Sequence, residues 1–402
     1  MGELSPTERD SIESIAGEPM LAQVLEWAAV NSGSRNLAGL DRIAALLADA
    51  FSALPGEVRF EEPAPVESVD TAGRVNAVGH GRHLHLVVRP DAPVQLLFTG
   101  HMDTVFGADH EFQQTRWLED GVLNGPGVAD MKGGLAVMLA ALGAAERSPL
   151  ARGFGYEVVI NSDEEVGSPA SATLLARSAH GKRAALTYEP AALPDGTLAG
   201  ARPGSGNFAI VVHGRSAHAG RNPEDGRNAL LAAAEIALHL AAGKYPGLSV
   251  NPSRIDGGSP SNVVPDLAIL RVNLRPRTPD DEERARDLID TAVTAIAAER
   301  DVRVEIHGGF GRAPKPLTPE AEALFELVKR AGADLGQSIG WQPSGGVCDG
   351  NNIAACGVPV VDTMGVRGGK IHSMEEFLIT ESLAERAALS TLTILRLAAE
   401  GA

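Results

Sequence analysis

The residues of this chain best suited to chemistry stand in five short motifs. His101 and Asp103 lie in Thr-Gly-His-Met-Asp-Thr-Val, and Asp130 in Gly-Pro-Gly-Val-Ala-Asp-Met-Lys-Gly-Gly. Glu164 and Glu165 lie in Asn-Ser-Asp-Glu-Glu-Val-Gly, Glu189 in Thr-Tyr-Glu-Pro, and His372 in Gly-Lys-Ile-His-Ser-Met-Glu-Glu-Phe. Singly, each has an ordinary reading: His-x-Asp as a capping pair, Asp130 as a helix cap, the acidic triplet as a solvated loop. Together they form a metal-ligand set. Imidazoles mixed with carboxylates suit zinc, with cobalt or manganese as substitutes, whereas an all-oxygen set would suit magnesium or calcium. A His binds a metal through one ring nitrogen while a neighbouring carboxylate fixes the other, a part Asp103 can play for His101. If Asp130 bridges two ions, each has one His, one unshared carboxylate and a share of Asp130. Each then keeps an open position, the mark of a catalytic site. Glu164 is a spare carboxylate beside the ligands, suited to act as general base on a water whose pKa the ions lower toward about 7.

For these side chains to meet, the elements between them must bring them to one edge. Periodicity predicts an amphipathic helix around Met20, Leu21, Val24, Leu25 and Trp27 and a second through Ile43, Leu46 and Leu47. Strands and helices then alternate: strand 94–98, helix 135–147, strand 156–160, helix 168–178 and strand 184–187. That order reads as α/β, with a mixed, mostly parallel sheet sandwiched by helices. From about Gly200 the pattern becomes strand 207–213, helix 227–242, strands 249–255 and 267–274, helix 281–299 and strand 302–307. This is a ferredoxin-like α+β unit, βαββαβ. The α/β pattern resumes with helix 320–333, strand 358–362 and helix 380–397. One domain, 202–312, is therefore expected as an insertion in a discontinuous catalytic domain of 1–201 and 313–402. The Pro-rich piece 61–67 reads as a surface loop. His101, Glu165, Glu189 and, after a Gly-rich loop, His372 fall just past predicted strands, and Asp130 precedes a helix on the same sheet. That carboxyl edge is where open α/β sheets bind ligands.

Composition narrows the partners. A chain of 402 residues with 44% hydrophobic content is long enough for two folded domains. Its net charge of -17 repels phosphate backbones and anionic lipid, which argues against nucleic-acid and membrane partners. The first ten residues carry acids and no apolar signal-peptide core, and Pro6 stands where a myristoylation motif wants Ser or Thr, so the cytoplasm is the expected location. No apolar run reaches the roughly 20 residues of a spanning helix, the stretch 232–242 being broken by Glu235 and His239. Cys348 and Cys356 are too few for a disulfide scaffold or a thiolate zinc site.

With those motifs in place, the chain resembles the dinuclear zinc amidohydrolases of the carboxypeptidase G, acetylornithine deacetylase and aminoacylase type. To the motifs above it adds Gly-Arg-Ser-Ala-His-Ala-Gly around His218, and the match runs in order and spacing over essentially the whole chain. The resemblance implies that His101, Asp130 and Glu189 hold one ion, that Asp130, Glu165 and His372 hold the other, and that Asp103 orients His101. It assigns Glu164 as base. Glu at position 189 favours the carboxypeptidase G branch. The resemblance makes the inserted domain a lid that also dimerises, so a homodimer is expected. It matches His218 to a lid histidine that reaches the neighbouring active site and stabilises an oxyanion. It matches Asn262 and Arg275 to residues gripping the substrate carboxylate, a task suited to the guanidinium fork. It matches Gly345 and Gly346 to a loop offering backbone amides to the same group. Downstream of that pair, Val-Cys-Asp-Gly-Asn-Asn departs from the family's Thr-Asp-Ala pattern, which leaves side-chain specificity open. The expected function is a carboxypeptidase that releases a C-terminal amino acid, glutamate foremost. A deacylase of N-acyl amino acids shares the chemistry and is the alternative. A non-catalytic metal-binding or scaffolding protein is the third reading, against which the intact Glu164 argues.

Overall fold

The computed structural model describes residues 4–399. Its main sheet has six strands in the order Glu57–Glu61, His83–Val88, Phe154–Asn161, Val94–His101, Ala184–Thr187 and Val360–Val361. The last four run parallel and the first two join antiparallel. The central strands are buried almost throughout, with Leu96, Leu97, Phe98, Val158, Val159 and Ile160 all inside. Continuous apolar runs of that kind belong to a sheet covered on both faces.

The covering helices follow the expected periodicity. Leu37–Phe51 buries Leu40, Ile43, Ala44, Leu47 and Phe51, spaced to form one helical face, and Asn36 caps its start by accepting the N–H of Gly39 at 3.1 Å. The helix Gly134–Glu146 is apolar nearly all round because Met20–Ala28 and Glu381–Ala399 pack around it. With the turn before it, it makes a 19-residue apolar stretch, Val128–Glu146, that is 94% buried and so is a core helix of this fold.

The inserted unit has its own sheet, ordered Leu248–Gly257, Leu267–Pro276, Ser205–His213, Arg303–Arg312 and antiparallel throughout. Helices Ala229–Ala242 and Pro279–Arg300 cover one face over a core of Ile210, Val212, Ile236, Leu270 and Ile289, separate from the main core. This is the expected ferredoxin-like βαββαβ arrangement.

Three expectations change. Segment 61–67 is not simply a loop: Glu61 ends a strand, and Val66–Val69 pairs with Val75–Val78 in a hairpin. Val69 of that hairpin packs with Val211 and Ile269 against the uncovered face of the inserted sheet. The helix expected from 168 begins at Ala172, because Ser168 is left-handed at φ +57° and the Asp163 carboxylate draws in the N–H groups of Ala170 and Ser171. Only Val360–Val361 of the expected strand 358–362 is paired, while Asp362 turns into a buried ion cluster. A further small sheet, Gly368–Gly369, Phe377–Ile379, Val122–Asn124 and Arg116–Glu119, had no sequence signal strong enough to announce it.

Candidate metal centre

Register brings the motifs together. His101 ends its strand directly beside Asn161, the last residue of the parallel neighbour, and Thr99 pairs with Thr187 on the other side. Three strands thus finish at one level. Just past those ends come the short turn Glu164–Val166 and, on the other flank, Tyr188 and Glu189. Asp130 enters from the turn before Gly134–Glu146, and His372 from a turn after Gly368–Gly369, held at φ +61°.

Within this cluster, His101 Nε2 lies 3.2 Å from Asp130 Oδ1 and 3.7 Å from Glu189 Oε2. His372 Nε2 lies 3.3 Å from Asp130 Oδ2 and 3.1 Å from Glu165 Oε2. Asp130 therefore faces one histidine with each of its oxygens, as a bridging carboxylate would. Donor atoms of His101, Asp130 and Glu165, and of His101, Glu164 and Glu189, fall within 4.8 Å of one another. His101 and the carboxylates are buried, while the His372 side chain is 54% exposed and leaves one side open to solvent.

The donor chemistry fits cations. His101 Nδ1–H donates to the Asp103 carbonyl at 3.0 Å; despite its burial, Glu189, Asp103 and Asp130 raise this ring well above the ordinary histidine range, and when Nε2 gives up that proton its lone pair faces two carboxylates. Three acceptors then face each other, and Glu189 Oε1 is buried without a partner among the described residues. A tetrahedral ion with bonds of about 2.0–2.1 Å spaces its ligands about 3.3 Å apart, close to the distances found. Burial pushes Glu165 and Glu189 up to about 8, with the Asp130 charge adding to it. Asp130 is held below the usual carboxylate range despite its burial, by hydrogen bonds with both histidines. His372 is raised to about 11 by its bonds to Asp130 and Glu165. The cluster as a whole draws positive charge, which bound cations supply without protons.

Residues 97–396 match peptidase family M20/M25/M40. The chain belongs to this family. Carboxypeptidase G2 of a Pseudomonas species is 30% identical over 314 residues, 76% of this chain and 74% of that one. Succinyl-diaminopimelate desuccinylase of Psychrobacter arcticus is 26% identical over 311 residues, 73% of this chain and 75% of that one. The crystal structure of aminopeptidase PepT from Bacillus cereus shares the fold with a TM-score of 0.71 at 24% identity, covering 95% of this chain and 98% of that one. Peptidase family M20/M25/M40 comprises metal-dependent hydrolases of peptidase and amidohydrolase type, and its enzymes bind divalent metal ions.

For this M20/M25/M40 chain, Ser34, Glu376 and Arg312 around the cluster escaped the sequence reading, and Asp103 holds more than His101. The Asp103 carboxylate binds the N–H groups of Glu164 and Glu165 at 3.1 and 3.2 Å and the Ser34 hydroxyl at 2.6 Å, while its carbonyl takes the closer contact to His101. Glu376 accepts N–H groups from Gly127, Ala129 and Asp130 at 3.0–3.2 Å and fixes the turn that carries Asp130. Arg312 Nη2 donates to Glu164 Oε1 at 2.7 Å. Burial pushes the Glu164 carboxyl above the usual range, and the Arg312 charge opposes that shift.

The expected substrate residues divide into two groups. Arg275 Nη1 donates to the Gly345 carbonyl at 2.9 Å, and Arg202 Nη1 to the Gly346 carbonyl at 3.2 Å. The Gly346 N–H is turned onto Ser344 Oγ at 3.2 Å. In this loop carbonyls of both glycines are engaged, and the Gly346 amide expected for a ligand is already used. His218 and Asn262 stand together on exposed loops of the inserted unit, joined by the Ala219 N–H to the Asn262 carbonyl at 2.9 Å. Among the described residues, neither makes a hydrogen bond or ion pair with the ligand cluster. Gly220 N–H donates to His218 Nδ1 at 3.1 Å, which leaves the ring proton on Nε2.

Proposed function

We propose that the chain cleaves an amide bond next to a free carboxylate and releases a C-terminal amino acid, glutamate foremost, as a cytoplasmic homodimer. Support comes above all from one observation: His101, Asp130, Glu165, Glu189 and His372 converge around a carboxylate that faces both histidines, with Glu164 alongside. In this reading His101, Asp130 and Glu189 hold one zinc ion, and Asp130, Glu165 and His372 a second. Such ions supply a water whose pKa is lowered to about 7 and polarise a carbonyl oxygen.

The chain's own residues do the rest. Glu164 takes a proton from the attacking water as its oxygen adds to the amide carbon, and returns that proton to the nitrogen as the C–N bond breaks. The partner subunit's His218, with its proton on Nε2, donates to the carbonyl oxygen as charge develops there. Arg275 and Asn262 grip the substrate carboxylate, with Gly345 and Gly346 beside them. We assign the hydrolytic body to 1–201 and 313–402 and the lid to 202–312.

A deacylase of N-acyl amino acids is the second reading, and similarity to a succinyl-diaminopimelate desuccinylase supports it. The test is a panel of C-terminal glutamate peptides and N-acyl amino acids, run with metal-depleted and zinc-restored protein. Turnover should appear only on restoration and be fastest for glutamate amides, and faster release of a short acyl group would move the assignment to the deacylase. Glu164→Ala should keep its metal and lose about a hundredfold to ten-thousandfold in rate. Full turnover by that variant would remove Glu164 from its role.

A further inference from the structure

Arg312 is the last residue of the strand Arg303–Arg312, where the inserted unit rejoins the main body. Its side chain is only 6% exposed and crosses into that body. Nη2 donates to Glu164 Oε1 at 2.7 Å, to the Glu164 carbonyl at 3.1 Å and to Ser168 Oγ at 2.9 Å, and lies 3.4 Å from Asp349 Oδ1. Asp349 also binds the Ser168 hydroxyl and, at 2.7 Å, the Asn161 amide, so the anchor on the main body is itself held. The Glu164 carboxyl thus spans two worlds. One of its oxygens rests on a guanidinium carried by the inserted strand, while the group lies within 4.8 Å of His101 and Glu189 donor atoms.

Three residues further on is a natural pivot. Arg202 and Lys315, one on each connecting segment, exchange backbone hydrogen bonds at 2.9 Å. Both side chains close on the buried Asp362, Arg202 at 2.8 and 3.0 Å and Lys315 at 3.0 Å. A rotation of the inserted unit about that clamp would carry Arg312 with it. We propose that Arg312 is a positioning residue for the hydrolysis: it aims the Glu164 carboxylate and couples that aim to the orientation of the lid. This rests on the assignment of Glu164 as base. The arginine itself need touch no substrate atom.

The experiment compares Arg312→Ala, Arg312→Lys and Glu164→Ala as zinc-restored protein on N-acetylglutamate, N-benzoylglutamate and glycylglutamate. Misaiming a reacting group by about 1 Å costs about a hundredfold. Arg312→Ala should lose about 10- to 100-fold in kcat, keep KM within about threefold, and retain wild-type metal content. Tens of millimolar guanidinium should restore part of the Arg312→Ala rate and none of the Glu164→Ala rate. Arg312→Lys should fall between, since an ammonium keeps the charge but loses the fork. If Arg312→Ala does not fold, the kcat and KM of Arg312→Lys decide. Wild-type kcat, a raised KM with kcat intact, or a rate loss that guanidinium leaves untouched would each overturn the inference. Glu164→Ala reports separately: its full turnover would sink the base assignment, whereas its inactivity beside a fully active Arg312→Ala would sink the positioning role alone.

Discussion

Glu376 acts on the centre through backbone. Its two oxygens collect three N–H groups from the turn 127–130 and so hold the peptide that carries Asp130. Burial pushes its carboxyl up to about 7, with the nearby Asp130 charge adding to the shift. Glu376→Gln keeps the size but sets an amide N–H₂ against a backbone donor. Loss of such an outer partner costs about 10- to 100-fold in metal affinity, which a chelator competition would read with the fold checked by circular dichroism. Unchanged affinity would mean that the turn holds its shape without this acceptor. The five proposed ligands, which the fold brings together, were legible because each stands in a motif whose neighbours constrain the backbone, and because strands end beside four of them. Glu376 was not. It follows Glu375, which reaches Lys370 at 3.1 Å on the surface, and nothing local separates the two residues. Arg312 and Arg202 were hidden for the same reason: their partners lie more than a hundred residues away, at Glu164 and Asp362.

Between elements, one ion cluster and one glycine set close constraints near the site. Asp362, fully buried, is held at about 2 by Arg202 and Lys315 despite the cost of burial. Its folded pKa lies below its ordinary 3.8, so its contribution to stability is present above about pH 4 and is lost as pH falls toward 2. The melting temperature should drop over that interval, and Asp362→Asn should flatten that part of the curve. The same change leaves two buried cations unpaired, so it should also cost about 3–5 kcal/mol at neutral pH by urea titration. A variant as stable as wild type would show that the clamp is dispensable. Gly134 opens the core helix where a Cβ would stand 2.0 Å from the Tyr188 carbonyl, next to Glu189. Gly134→Ala must therefore push the helix off the strand end, with an expected loss of about 1–3 kcal/mol and weaker metal binding, both measurable on one preparation. Helices and central strands were readable because their burial repeats at 3.6 or runs unbroken. Short strands such as Val122–Asn124 and Phe377–Ile379 were not, since three residues carry no period and their pairing depends on contacts across the fold.

At the scale of the molecule, two cores meet through a narrow connection. The inserted unit keeps its own apolar interior and is tied back by the Arg202–Lys315 pair and by the hairpin through Val69. That division was visible in the change of strand–helix order near residue 200, but the hairpin was not, because its apolar residues alternate too briefly to reveal a second contact. The helix Ala229–Ala242 turns Ala232, Ala233, Ile236 and Leu240 inward, yet also leaves Leu231 53% and Leu238 70% exposed. Those two leucines are seven residues apart, so they share one outward face. Apolar side chains repeated along one outer stripe gain most by meeting a second protein surface, and the proposed homodimer supplies one. Leu238→Glu places a charge on that stripe without entering the core of either unit. Sedimentation should then show a monomer where wild type is a dimer, with metal content and melting behaviour retained. Because His218 lies on the same inserted unit and makes no hydrogen bond or ion pair with its own chain's proposed ligand cluster among the described residues, the monomer should also lose an oxyanion donor. The expected fall in kcat is about a hundredfold to a thousandfold. A Leu238→Glu monomer with wild-type kcat would show that each chain completes its own site, and a wild type that sediments as a monomer would remove the partner from the mechanism.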